Sequence, residues 1–169
     1  MVTLLVDLWE SSIPAFLCAV AACVYLLWLS VILSAIDIHT HTLPNRYVLP
    51  AYPIAGALLV AAALTSGSPA SLARAVGGAA LMVVLYWILW ALHPSGLGFG
   101  DVKLAGVLGL YLGFLSWQHV ALGAAAGFVL GGLWALAHVA SGRGTIKSPI
   151  PFGPSMLAGT LAVLLLVPA

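Results

Sequence analysis

The chain has 169 residues, of which 63% are hydrophobic and 5% charged, with a formal net charge of +1 and a mean hydropathy of +1.19. Soluble proteins carry roughly 25% charged residues, so this surface is too apolar for water, and the expected class is an all-α integral membrane protein, a bundle of about six transmembrane helices in one domain. Five dispersed basic residues without a basic run leave no electrostatic footprint for nucleic acid.

At the amino terminus Asp7 and Glu10 precede the first apolar run, where a cleavable signal carries basic residues, so this region reads as a retained span. Six apolar runs follow: Ile13 to Ile36, Val48 to Thr65, Leu72 to Leu92, Val102 to Trp117, Val120 to Ala140 and Met156 to Val167. The fourth and sixth are short for a span, and each follows a Gly- and Pro-rich loop that enters the membrane only where protein covers it. Cys18 and Cys23 point to different faces of one helix and no C-x-x-C occurs, so neither a disulfide nor a zinc site is expected. Gly109 and Gly113, and Gly123, Gly127 and Gly131, recur every four residues, the spacing that lets helix backbones approach closely in lipid.

Basic residues set the orientation. With the amino terminus outside, Arg46, Lys103, Arg143 and Lys147 fall on the cytoplasmic side and only Arg74 does not. Trp9, Trp87, Trp90 and Trp117 sit near the expected helix ends as interfacial anchors. Lys103 reads as a snorkelling anchor. His39, His41 and His93 share the cytoplasmic loops, where interfacial polar residues are a blander account than a metal site.

Four acidic residues exist, Asp7, Glu10, Asp37 and Asp101. Asp37 and Asp101 stand at ends of apolar runs, where an ionisable group reads as functional, and the same topology brings both to the cytoplasmic face. Gly98 and Gly100 leave space beside Asp101, which is placed to cap its helix, where amide donors favour the ionised form. Asp37 meets the negative end of its helix, which favours protonation. A carboxylate pair of this kind hydrolyses peptides: one member activates water, the other protonates the carbonyl oxygen, and a proton is shared. Asp101 is the expected base and Asp37 the expected acid, although a coupled pair titrates as a unit.

Three stretches then carry a resemblance. Asp37-Ile38-His39-Thr40-His41-Thr42-Leu43-Pro44-Asn45, Gly98-Phe99-Gly100-Asp101-Val102-Lys103-Leu104 and Ile150-Pro151-Phe152-Gly153-Pro154 are similar, in the same order, to motifs of the type IV prepilin peptidases, the GxGD-type intramembrane aspartic proteases. The resemblance implies catalytic Asp37 and Asp101, with Gly98, Gly100, Lys103, Pro44, Asn45, Pro151, Gly153 and Pro154 as supporting motif residues. It implies water as nucleophile, no metal or cofactor, and a cell-membrane location. The implied partner is a single-span prepilin-like protein (a pilin, Flp or pseudopilin precursor), cut at the cytoplasmic membrane face between its basic leader and its apolar helix. The chain departs from many members in lacking paired C-x-x-C motifs, so it resembles the short peptidase-only form, and methyltransferase activity is not implied. Ser155-Met156 stands where a bulky apolar residue is expected. Pro44 and Asn45 read as a turn, and Pro151, Gly153 and Pro154 as an irregular backbone near the membrane.

The alternative from another class is a small proton-coupled transporter or channel subunit using Asp37 and Asp101 as proton relays. Two acids at one face, rather than a chain of them across the bilayer, argue against it. A third is a noncatalytic assembly component.

Overall fold

Ser12 interrupts the first apolar stretch: its side chain accepts the N–H of Ala15 at 3.4 Å, and Pro14 follows in the first helical turn. In the computed structural model, which describes residues 1–93, 96–141 and 151–168, this break separates α1 (Val2–Ser11) from α2 (Ile13–Thr40). After them come α3 (Asn45–Thr65), α4 (Ala70–Leu92), α5 (Phe99–Leu115), α6 (Trp117–Ala140) and α7 (Gly153–Leu166). All regular structure among the described residues is helical.

The expected all-α membrane architecture is present, with two adjustments. The short α1 was not among the six apolar runs, because Asp7 and Glu10 break its hydropathy without breaking its helix. Four helices, α2, α3, α4 and α6, are long and apolar enough to cross a membrane; α5 and α7, with 17 and 14 residues, are shorter. Four helices also start three residues earlier than their apolar runs. Helix α3 begins after Pro44, α5 after Gly98, α6 after Ser116, and α7 on Gly153 with Pro154 in its first turn. Gly153 and Pro154 are therefore helical, where an irregular backbone was expected. Proline suits a first turn because its missing N–H has no intrahelical partner there and its φ is already helical.

Consecutive helices run in opposite directions, and side-chain contacts fix which ends meet. At one pole Ser12 Oγ donates to the Thr65 carbonyl at 3.1 Å, joining the start of α2 to the end of α3. Nearby, Arg74 Nη2 donates to the Phe114 carbonyl at 3.2 Å, joining the start of α4 to the end of α5. Ser116 alone separates α5 from α6; its Oγ accepts the His119 N–H at 3.2 Å, while the His119 ring reaches the Val167 carbonyl beyond α7 at 3.3 Å. At the other pole Lys103 Nζ donates to Asn45 Oδ1 at 2.9 Å, joining the starts of α5 and α3.

Helix α5 lies in the middle, its residues Leu104 to Gly109 all buried. It packs most extensively on α4 and also touches α3, α6 and α7. Glycines permit the approach. A Cβ on Gly78 would lie 2.6 Å from the Gly109 carbonyl oxygen, and one on Gly109 would lie 2.7 Å from the Ala79 Cα. The Gly127 rung meets α7 in the same way, because a Cβ on Gly159 would lie 2.6 Å from the Gly127 nitrogen. Gly109, Gly113 and Gly127 are thus contact points between backbones, while Gly123 and Gly131 make room for the Leu112 side chain and the Phe152 ring.

Two substitutions separate this packing from helix propensity. Gly109→Ala forces backbone atoms apart and is expected to cost about 1–3 kcal/mol, read as a lower melting midpoint in detergent. Gly132→Ala, on α6 with nothing within 4 Å of the new Cβ, is expected to be neutral or to stabilise by about 0.5–1 kcal/mol.

Candidate active site

Asp37 lies near the end of α2, and Asp101 is the third residue of α5. Both are at the Lys103–Asn45 pole, and both are buried, 4% and 7% exposed. In an apolar bundle such groups need polar partners. Each carboxylate accepts one backbone N–H at 3.0 Å through Oδ2, Asp101 from Gly98 and Asp37 from Gly153. They lie within electrostatic reach of one another, the charge of Asp37 acting on Asp101, and His41 acts in turn on Asp37.

Asp101 was expected to cap its helix, but the cap position is Gly98. The Asp101 carboxylate reaches back one turn to the Gly98 N–H, which is the returning half of a capping box; glycine has no side chain to make the other half. The two carboxylates have matching partners, so hydrogen bonding alone does not divide them into acid and base.

Space is tight at both donors, more so at Gly153. A Cβ on Gly98 would lie 3.2 Å from Asp101 Oδ2, and one on Gly153 would lie 2.8 Å from Asp37 Oδ2. Gly100 serves a different contact: a Cβ there would lie 2.9 Å from Leu43 Cβ, and Leu43 Cδ2 also faces Gly153 at 3.3 Å from its would-be Cβ. Leu43, in the connection between α2 and α3, therefore packs against the glycine beside each aspartate. That connection starts at His41, whose N–H donates to the Asp37 carbonyl at 2.8 Å and whose φ of 51° turns the chain out of the helix.

The supporting residues divide accordingly. Gly98 and Gly153 contact the acids directly, and Gly100 admits Leu43. Lys103 bonds Asn45 and lies over the Phe99 ring at 5.0 Å, so it ties two motifs together where a snorkelling anchor was expected. Pro44 is the residue on which α3 starts. Pro154 is buried in the first turn of α7, while Pro151 is half-buried just ahead of it. Ile150, Arg143 and Lys147 lie outside the described residues. No group of three His, Cys, Asp or Glu side chains among the described residues is arranged to hold a metal.

Sequence reasoning missed Leu43 and Tyr86. Tyr86 is 1% exposed, interacts electrostatically with Asp101, and stacks on Phe128 at 5.3 Å with Phe152 beside it at 6.2 Å. A phenol inside an otherwise apolar helix was the available signal for Tyr86. Leu43 lies within the first motif stretch, but its packing role depends on which glycines it meets.

Over residues 23–136 the chain matches the type IV leader peptidase family. It is 37% identical to a prepilin leader peptidase/N-methyltransferase of Burkholderia pseudomallei (strain 1026b) over 139 residues, covering 78% of this chain and 42% of that protein. The protein of the same name from Bacillus subtilis (strain 168) is 35% identical over 136 residues, covering 79% of this chain and 50% of its own length. Another from Escherichia coli (strain K12) is 29% identical over 170 residues, covering 90% of this chain and 73% of its own. The chain thus spans half or less of the first two relatives. No solved structure is significantly similar to it. A match running from α2 into α6, and so through both aspartates, makes this chain a member of the type IV leader peptidase family.

Proposed function

We propose that this chain is an aspartic endopeptidase that removes the leader from prepilin-like single-span membrane proteins, with Asp37 and Asp101 activating the attacking water together. The observation that carries the reading is the pair of buried carboxylates at one pole, within electrostatic reach and each held by a glycine N–H. The names of the relatives supply the substrate class; only their peptidase half is carried over.

The mechanism follows from the shared proton. Two carboxylates brought together over a substrate resist ionising together, so one stays protonated while the other is ionised. The ionised member takes a proton from water as the oxygen attacks the peptide carbonyl. The protonated member donates to the carbonyl oxygen, giving a tetrahedral intermediate that collapses with proton transfer to the leaving amine. Because the pair acts as one unit, either aspartate serves as the base.

Arg46 and Lys103 lie near the aspartate pole, while Arg74 lies at the other. By the bias of basic residues toward the cytoplasm, the aspartates face that side. The bond between a basic leader and an apolar helix lies at the same level, so cleavage does not require drawing it into the hydrocarbon centre. A proton relay needs acids distributed through the bilayer, and the remaining carboxylates, Asp7 and Glu10, lie on α1 at the opposite pole.

Co-expression with a tagged prepilin-like substrate tests this. Asp37→Asn and Asp101→Asn are each expected to lower leader removal, seen as a size shift, by at least about a hundredfold; continued processing by either variant would sink the aspartic mechanism. The pH profile of wild-type cleavage is expected to fall on both sides, toward acid as the base is protonated and toward alkali as the acid is lost. A profile with a single limb contradicts a shared proton.

Gly153→Ala is expected to push the Asp37 carboxylate off its donor, because the new Cβ would lie 2.8 Å from Oδ2. Processing should fall by about ten- to a hundredfold. Unchanged processing would show that the Asp37–Gly153 contact plays no part in the reaction.

A further inference from the structure

Arg74 is the basic residue that departs from the charge bias, and it stands at the pole opposite the aspartates. It lines a cavity of about 360 Å3 formed where the end of α3, the start of α4 and the end of α5 meet α1, a volume in the range of small-ligand sites. Arg74 Nη2 is satisfied by the Phe114 carbonyl, but Nε is buried with no hydrogen-bond partner. A guanidinium has five donors and is always charged, and a buried donor without a partner carries a desolvation cost. Among the described residues no carboxylate forms an ion pair with it. An anionic oxygen in the cavity would offset that charge at the terminal guanidinium nitrogens, Nε itself being sealed from the cavity.

The rest of the lining specifies more than an anion. Asp7, exposed on α1, contributes a carboxylate to the same cavity. The hydroxyls of Ser11, Ser66 and Ser71 already donate to the carbonyls of Asp7, Ala63 and Ser68, at 2.7, 3.3 and 2.6 Å. Each hydroxyl proton is committed, so these oxygens face a ligand as acceptors. The cavity therefore combines a guanidinium donor with a set of acceptors and one negative charge. A free phosphate meets Arg74 but is repelled by Asp7. A molecule carrying a phosphate and a primary ammonium answers both charges and gives the committed serine oxygens a donor.

We propose that this cavity binds the headgroup of an aminophospholipid, its phosphate on Arg74 and its ammonium against Asp7 and the serine hydroxyls. The lipid source follows from position. The site lies at the ends of membrane-spanning helices, and Leu4, Leu8 and Leu115 supply apolar walls beside the polar groups. The proposal is independent of the peptidase reading, because none of these residues lies at the aspartate pole.

The full-length chain in detergent, given an equimolar mixture of dioleoyl phosphatidylethanolamine, phosphatidylcholine and phosphatidylglycerol, reports retained lipid by native mass spectrometry. Phosphatidylethanolamine is expected to be retained about tenfold over phosphatidylcholine, whose quaternary ammonium cannot donate a hydrogen bond. Arg74→Gln should lose retention of phosphatidylethanolamine. Asp7→Ala, at an exposed position that does not threaten folding, removes the charge and the acceptor together and should keep lipid binding but lower the preference over phosphatidylcholine. Equal retention of the two lipids by the wild-type chain overturns the proposal, and so does an unchanged preference in Asp7→Ala. Soluble glycerophosphoethanolamine is the second arm: if it displaces the lipid at equal concentration, the site recognises a free headgroup and the lipid assignment fails.

Discussion

A carboxylate inside an apolar bundle must find hydrogen-bond donors, and here the donors are the backbone amides of two glycines. Gly98 and Gly153 each present an N–H to one aspartate at 3.0 Å. A side chain on either glycine would enter space that the carboxylate oxygen already occupies or crowds. The donors also fix where two helices begin, since Gly98 precedes α5 and Gly153 opens α7. An amide in the first turn of a helix has no intrahelical acceptor, so meeting a carboxylate removes two unsatisfied groups at once.

Holding those helix starts beside α2 depends on the middle of the bundle. Helix α5 is about 25 Å long and α7 about 21 Å at 1.5 Å per residue, short of the roughly 30 Å hydrocarbon thickness. Neither is stabilised by spanning alone. Helix α5 is enclosed by its neighbours, with Gly78, Gly109 and Gly113 letting it approach α4; α7 approaches α6 through Gly127 and Gly159. Tyr111 adds a specific tie across the interior, its hydroxyl donating to the Ala22 carbonyl on α2 at 3.0 Å. Dispersion contacts at glycine rungs and a few interior hydrogen bonds therefore set the height and rotation of α5, and with them the aim of Asp101.

What the sequence made legible follows from which signals are local. Membrane class, the positions of the long helices and the shared pole of Asp37 and Asp101 came from hydropathy and chain alternation, which are properties of single segments. The glycine spacing on α5 and α6 was legible as packing, but the matching Gly78 and Gly159 were not, because neither has a second glycine four residues away on its own helix. Helix starts were placed late because hydropathy marks apolar residues, whereas first turns are made of Pro, Gly and polar residues. The contact of Gly153 with Asp37 joins residues 116 apart, and nothing near either residue encodes it. Lys103 shows the same limit. Taken alone it resembles an interfacial anchor, and only the arrival of Asn45 from another helix turns it into a link between motifs.

The two poles also treat helix N-termini differently, and this bears on the chemistry. At the Arg74 pole Ser12 and Ser116 cap α2 and α6 with their side chains, although α4 starts on Pro69 without such a cap. At the aspartate pole α3, α5 and α7 all begin without a side-chain cap hydrogen bond. Their positive ends are left to act on whatever lies nearby, and for α5 and α7 this is the pair of carboxylates. A side chain at either glycine would crowd the carboxylate that its own N–H meets, since a Cβ would lie 3.2 Å from Asp101 Oδ2 at Gly98 and 2.8 Å from Asp37 Oδ2 at Gly153. Glycine keeps that space open, so the same choice that lets the acids be buried also leaves two helix ends facing them.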